Sequence, residues 1–283
     1  YYDNIGDMAN KGVELELNYI PVNKKNFTWK INLNLTHYKN KITYLPDEKK
    51  TTVMDGHGGY MNGSRYYGED LPINTWYMKR FAGLSEDGLS LWYYTDKETN
   101  EEKTTTTYST GDFYLCGDPN PDLYGGFGTS ITFHGFDLST QFSYLVGGLT
   151  YDYGYAGMMG NPTATSVGNR WHKDVLKAWS PENPSSTIPR WYFNDLNTTG
   201  SSDRFLIDGS YLNLQNIQVG YTLPDSWTSH LKIKNLRLYF VCDNVYYWSK
   251  RKGLDPRRSI SGVGTSGKIA PFRTYSGGIS LQF

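Results

Sequence analysis

The sequence predicts an all-β chain of antiparallel strands from the wall of a membrane-spanning barrel, and three observations carry that prediction. The last stretch, Arg273-Thr-Tyr-Ser-Gly-Gly-Ile-Ser-Leu-Gln-Phe283, sets Tyr275, Gly277, Ile279, Leu281 and Phe283 on one face and Thr274, Ser276, Gly278, Ser280 and Gln282 on the other. Such period-two alternation marks a strand with two unlike faces. It stops on an aromatic, as a barrel's closing strand does when its last ring sits in the membrane-edge girdle. Secondly, the connections between strands alternate short and long. Thirdly, 25 Tyr, 8 Trp and 12 Phe accompany 30 Gly in 283 residues, which suits girdled strands joined by polar loops.

Hydropathy does not oppose this. The mean of −0.59 would be too polar for membrane helices, but a barrel strand hides only alternate residues in lipid. No run of about 18 apolar residues exists, which excludes a spanning helix. Lys and Arg number 28 against 28 Asp and Glu, so nothing electrostatic points to nucleic acid. Cys116 and Cys242 alone cannot make a disulfide framework. The chain opens Tyr1-Tyr2-Asp3 without Met or a signal peptide, so any targeting segment is expected to have been removed or to lie outside this piece.

In order along the chain, residues 11–20 alternate Val13, Leu15, Leu17 and Tyr19 with Glu14, Glu16 and Asn18. Pro21–Asn26 reads as a turn, and 27–38 alternate Phe27, Trp29, Ile31, Leu33 and Leu35 with Thr28, Lys30, Asn32, Asn34 and Thr36. Each strand is near the 9–11 residues a tilted membrane strand needs. A surface hairpin with its charged side in water shares the pattern. Residues 42–70 read as loop, and 73–82 and 89–95 as weaker strands about a turn at 85–88. The polar stretch 96–117 follows. Residues 123–133 and 136–146 form a second hairpin about His134-Gly135, where Gly accepts positive φ. A long connection to Ser210 carries one helical pattern, Trp171, Val175 and Trp179. In the strand 211–223 the apolar parity shifts from Leu212 and Leu214 to Ile217, Val219 and Tyr221, which predicts a bulge near Gln215. Residues 236–248 and the closing strand complete about nine strands. Counted back from the end, 249–272, 149–210, 96–121 and 43–72 are long, whereas 224–235, 134–135, 85–88 and 21–26 are short. Barrels make periplasmic turns short and extracellular loops long.

Several stretches then resemble one family, the SusC/RagA-type TonB-dependent transporters of Bacteroidota, in their C-terminal part. They are Asn4–Leu17, Phe81-Ala-Gly-Leu84, Gly117-Asp-Pro-Asn-Pro-Asp-Leu-Tyr-Gly-Gly126, Asn169-Arg-Trp171 with Ser180-Pro-Glu-Asn-Pro184, and Ser202-Asp-Arg-Phe205. Asp208–Pro224, Asn235-Leu-Arg-Leu-Tyr239, Lys252-Gly-Leu-Asp-Pro256 and the closing strand continue the set. The family often carries Arg where Asn213 stands and an Asn-Leu pair where Asn244-Val245 stands. The resemblance implies that residues 1–283 are the C-terminal portion of a 22-stranded barrel, with plug domain, TonB box and earlier strands outside this chain. An odd strand count agrees, because bacterial single-chain barrels are even and an open edge in lipid leaves amides unpaired. The partners implied are the rest of the barrel and plug, a SusD-like surface lipoprotein, TonB, the barrel-assembly machinery and outer-membrane lipid.

No constellation for catalysis appears. The five histidines (His37, His57, His134, His172, His230) keep no metal spacing, no G-x-S-x-G or phosphate loop is present, and no cofactor is expected. Asp118-Pro-Asn-Pro-Asp122 reads as a rigid turn entering a strand rather than a calcium loop. Glu14 and Glu16 read as lumen-lining groups. Aromatics of the long connections, Trp171, Trp179, Trp191, Tyr192, Tyr151, Tyr153 and Tyr155, are the candidates for substrate contact, since loops commonly carry function. For Trp171 and Trp179, pinning the loop helix to the rim is the favoured reading over ligand contact. Tyr275, Ile279, Leu281 and Phe283 are expected to face lipid, with Phe283, by the resemblance, part of the signal for barrel assembly. The functional expectation is TonB-dependent import of oligomers across a Gram-negative outer membrane, with glycan favoured over peptide. A soluble β-rich carbohydrate-binding module is the alternative; a hydrolase has no placed nucleophile.

Overall fold

In the computed structural model, which describes residues 6–163, 170–195, 197, 200–258, 261–263 and 271–283, seven long strands form one antiparallel sheet. They are β1 (Asp7–Lys24), β2 (Phe27–Tyr44), β3 (Leu123–Phe133), β4 (Phe136–Val146), β5 (Tyr211–Thr222), β6 (Asn235–Ser249) and β7 (Thr274–Gln282). Each pairs with its successor, so the sheet is a simple meander with β1 and β7 as its edges. It is a partial barrel wall. Among the stretches that match the family, Asn4, Ile5 and Asn169 lie outside the described residues.

Register sorts the side chains into two faces. Leu17 of β1 stands opposite Leu33, then Phe127, Phe142, Leu214 and Tyr246, an apolar row that crosses six strands. One rung along, Asn18, Asn32, Gly128, Gln141, Asn216, Asp243 and Thr274 form a polar row across all seven. The apolar face is the open one. Leu15, Phe133, Phe136, Phe240 and Ile279 are all about half exposed or more, an arrangement that suits a hydrocarbon surround and not water.

The polar face is tied by side chains that pass over glycines. Arg237 of β6 reaches across β5 to Asp137 of β4, 2.6 Å away. Gly220 of β5 lies beneath, where an added Cβ would strike both Asp137 and Arg237. A side chain at 220 would therefore displace the ion pair.

Two irregularities have local causes. The ladder skips between Leu214 and Asn216 against both neighbours, which places the bulge at Gln215 where the parity shift predicts it. Another lies between Tyr19 and Val22. It takes in Pro21, which has no N–H to give a ladder, so β1 continues to Lys24 and the turn shortens to Lys25-Asn26. His134 and Gly135 both take positive φ, 47° and 87°, as a two-residue hairpin requires.

The expected strands at 73–82 and 89–95 do form, but not in the wall, which has seven strands and not nine among the described residues. β2 pairs directly with β3. Thr75–Lys79 instead joins a five-stranded sheet with Thr52–Met54, His57–Asn62, Arg65–Gly68 and Phe113–Leu115, so the 42–70 stretch is not plain loop. Ser90–Thr95 pairs with Phe81–Leu84 and Glu102–Thr105. The turn at 85–88 therefore belongs to one folded connection between β2 and β3. The reason is visible in burial: every residue of Thr75–Lys79 is buried, so this strand packs on both faces and cannot show the alternation of a wall strand. The remaining alternation holds, with short connections at 25–26, 134–135 and 223–234 at one end and long ones at 45–122, 147–210 and 250–273 at the other.

Candidate functional site

The three long connections fold against one another. Trp76, Met78, Tyr151, Met159 and Phe205 form a shared core, with Cys116, Leu149, Tyr155, Val175 and Ile188 packed on it. Trp76 donates its indole N–H to the Leu149 carbonyl at 3.2 Å. The Asp203 carboxylate accepts the Phe81 N–H at 2.8 Å. Asp152, almost wholly buried, is paired with Arg251 of the third connection at 2.5 Å. Arg65 lies 3.1 Å over the Trp76 ring and donates to the carbonyls of Asn74 and Ser261. Burial lowers its guanidinium to about 10, so it stays charged at neutral pH. Lys79 is held by the carbonyls of Tyr108, Ser109 and Gly111, and burial lowers its ammonium too. The result is a preorganised cap over one end of the sheet.

Between cap and polar face lies a cavity of about 610 Å³. Tyr38, Tyr124 and Tyr211 come from strands, Pro119 and Pro121 from the first connection, Gly147, Gly148 and Gly209 from the second, and Arg257 and Gly262 from the third. The turn Asp118–Asp122 sets the prolines. Asp118 accepts from the backbone and side-chain nitrogens of Asn120 at 2.9 and 2.7 Å, which makes it a turn-former. Gly147 and Gly148, both at positive φ, bring the second connection so close that added Cβ atoms would strike Asp122 and Pro119. Tyr38 and Tyr124 meet edge to face at 6.0 Å. Among the described residues Arg257 is the one charged group in the lining, and Asp255 neutralises it through bonds of 2.8 Å to each oxygen. Among the described residues the lining thus offers flat rings, glycine backbone and no free charge.

The aromatics singled out in the sequence fall elsewhere. Tyr151 is buried in the loop core, with Tyr153 tilted on it at 4.4 Å. Tyr155 donates to Asp174 at 3.0 Å. Trp179 packs over Gly88, whose added Cβ would overlap the indole. Trp171 and Trp191 meet edge to face at 5.4 Å and both donate to the Gly160 carbonyl. Tyr192 is exposed beside Arg190, 5.0 Å from its ring. The helical pattern at 171–179 is a short 3-10 helix over Lys173–Lys177. Trp171 and Trp191 thus make one pair, with exposed Tyr192 next in sequence, while Tyr151, Tyr155 and Trp179 pack the connections. Sequence pattern alone does not mark the cavity tyrosines, because they sit within strands; the Pro-x-Pro turn and the Gly147-Gly148 pair at the strand ends are the signal that points to them. Among the described residues no group of three His, Cys, Asp or Glu could hold a metal.

No family model matches the chain. It is 29% identical to TonB-dependent receptor P3 of Formosa agariphila, over 99% of this chain and 29% of the relative. Against TonB-dependent receptor SusC of Bacteroides thetaiotaomicron the identity is 27%, over 99% of this chain and 27% of that one. Among solved structures, the RagAB peptide importer in its open-open state superposes with a TM-score of 0.77 at 25% identity, over 100% of this chain and 29% of its counterpart. A further RagAB peptide transporter structure gives a TM-score of 0.81 at 24% identity. The chain therefore spans under a third of the length of the curated relatives it matches.

Proposed function

With the chain a barrel-wall segment of the SusC/RagA family of TonB-dependent receptors, we propose that it works in energised import of oligomeric nutrients across an outer membrane. The observation that supports this best is the two-faced sheet: one mainly apolar face, one polar face, and a folded cap over the end where the long connections gather. In this reading the segment is the C-terminal part of the barrel. The plug, the TonB box and the other strands belong to sequence beyond it, and a SusD-like lipoprotein covers the cap. The segment carries no reaction. Its part is to wall the lumen and hold ligand at the mouth while TonB moves the plug.

The cavity lining favours glycan over peptide. Its single guanidinium is already matched by Asp255, so a peptide's charged termini gain no counter-ion there, whereas Tyr38, Tyr124 and Tyr211 offer faces for sugar rings. Calorimetry on the full-length receptor in detergent, with neutral oligosaccharides and with oligopeptides of similar mass, tests this. Binding of oligosaccharide that weakens about tenfold on Tyr124→Ala is expected, from loss of one stacked ring. Binding of peptides alone would make the receptor a peptide importer and overturn the glycan reading. A full-length protein that stays soluble and monomeric without detergent would overturn the transporter reading itself, in favour of a soluble carbohydrate-binding module.

A further inference from the structure

On the apolar face of β3–β6, at the end where the long connections gather, lies a second hollow, a groove of about 530 Å³. Phe127, Tyr144, Val146, Leu212 and Trp248 line its length, and Lys250 stands at its end, just past the last residue of β6. Phe127, Val146 and Trp248 are exposed. Lys250 is exposed too and has no ion pair or hydrogen bond among the described residues. Asp208, the one carboxylate beside the groove among the described residues, is engaged by the Ser210 N–H at 2.8 Å and hydroxyl at 2.5 Å and also feels the charge of Lys250, with no salt bridge between them.

The charge of the neighbouring connection is lopsided. Between 250 and 273 stand Lys250, Arg251, Lys252, Arg257, Arg258, Lys268 and Arg273 against the single acid Asp255, in a chain of zero net charge. Asp152 and Asp255 neutralise Arg251 and Arg257. Lys250, Lys252 and Arg273 stay exposed without an ion pair among the described residues. Arg273 shares the parity of Tyr275, two residues on, and so belongs to the apolar face.

An apolar groove continuous with the lipid-facing wall, closed at one end by an exposed ammonium that forms no salt bridge among the described residues, has the two-part chemistry of a lipid. We propose that it binds a phosphate-bearing anionic lipid of the outer leaflet, an acyl chain along Phe127, Val146 and Trp248 and a phosphate on Lys250. This rests on reading the sheet as a barrel wall with its long connections outward. A zwitterionic lipid would bring its own cation to Lys250. Free phosphate would leave the groove unfilled.

The test uses the full-length receptor in detergent, titrated with bisphosphorylated lipid A or with phosphatidylcholine and read by native mass spectrometry. Lipid A is expected to be retained over phosphatidylcholine. Lys250→Glu should cut that retention about fivefold or more, the scale of one surface cation near an anionic lipid, and Lys250→Gln by less. Val146→Trp, which fills the groove, should lower retention of both lipids. Heat-modified gel mobility checks that each variant is a folded barrel. Equal retention of the two lipids, an unchanged Lys250→Glu, or displacement of lipid A by millimolar inorganic phosphate would each overturn the site. Because none of these results alters oligosaccharide binding, the lipid site can fail while the import reading stands.

Discussion

Arg257 donates from Nη1 to the side-chain oxygen of Asn213, 2.6 Å away on β5. The same nitrogen reaches Asn244 of β6 at 2.9 Å, and the guanidinium lies 4.4 Å from the Tyr247 ring. Asn213, where the sequence departs from the family it resembles, and Asn244 thus meet on one side chain. Small amide acceptors at 213 and 244 leave room for a guanidinium supplied by the third connection.

Replacing Arg257 should therefore loosen that connection specifically. Asp255 is buried and would lose its bidentate partner, a defect worth about 3–5 kcal/mol when a buried pair is broken. Local opening dissipates part of this. Arg257→Ala is expected to speed hydrogen exchange across 250–258 by at least about tenfold while β3–β4 exchange is unchanged. Arg257→Lys should not restore protection, because one ammonium cannot serve four acceptors in a planar fork. Uniform exchange in the variant would contradict this.

Asp203 gives the cap a pH dependence of unusual sign. Burial, the largest influence, raises its carboxyl above the ordinary 3.8. The folded cap then holds a proton that the unfolded chain releases, so Asp203's contribution is fullest below the ordinary value and declines as pH rises to the raised one. Asp203→Asn keeps an acceptor for the Phe81 N–H and removes the buried charge. Protease resistance of the cap in Asp203→Asn should match wild type at pH 3.5 and exceed it at pH 7. Equal resistance at pH 7 would show that Asp203 carries no desolvation cost.

Cys116 offers a probe of the loop core. Burial pushes its thiol up to about 11, so at pH 8 only about one molecule in a thousand carries the reactive thiolate. Alkylation in the folded receptor should be slower than in urea by at least about a hundredfold. Loosening the core with Trp76→Ala should recover most of that rate. Fast labelling of the unmodified receptor would contradict the packing of Cys116 against Trp76 and Met78.

The wall was legible because its physics is local. Each strand's parity is fixed by what the two faces touch, and even the Gln215 bulge shows as a slip from Leu214 to Ile217. The strand Thr75–Lys79 was legible as a strand but not by partner: Trp76, Tyr77 and Met78 are buried together, and nothing in the run distinguishes wall from cap. The candidate site was the least legible part. Tyr38, Tyr124 and Tyr211 look like any girdle tyrosines until register places them beside Pro119 and Gly148. The loop aromatics, conspicuous in the sequence, were recruited in part to hold the loops: Tyr151 became core.

Gly220 should be intolerant for a reason that hydropathy does not show. Gly220→Val forces apart the Arg237–Asp137 pair that passes over it, adding an overpacking cost of about 1–3 kcal/mol to the loss of a partly solvated ion pair. The expected outcome is a lower urea midpoint of the full-length barrel. Gly277→Val, where an added Cβ meets nothing closer than 3.8 Å, should be nearly neutral. Equal effects would mean the ion pair does not depend on the space at 220.

The closing strand supplies the sharpest test of facing. In the ladder, Leu281 stands opposite Leu236, Ile279 opposite Leu238 and Tyr275 opposite Cys242, while Ser280 pairs with Arg237 on the polar face. Ile279→Lys would place an ammonium against hydrocarbon, costing about 2–4 kcal/mol at the midplane and less toward an interface. Ser280→Lys, one residue on, would place it in the lumen near Arg237 at a smaller cost from like charge. Phe283 is largely exposed at the strand's end, its carbonyl held by Lys234 at 3.1 Å. Phe283→Ser removes the terminal ring without touching the ladder. Surface levels of the full-length receptor, measured by antibody on intact cells, should fall severalfold for Ile279→Lys and Phe283→Ser and little for Ser280→Lys, with import per surface molecule unchanged. If Ser280→Lys fell and Ile279→Lys did not, the two faces would have to be exchanged, and with them the lumen that Asn18, Gln141 and Asp243 line.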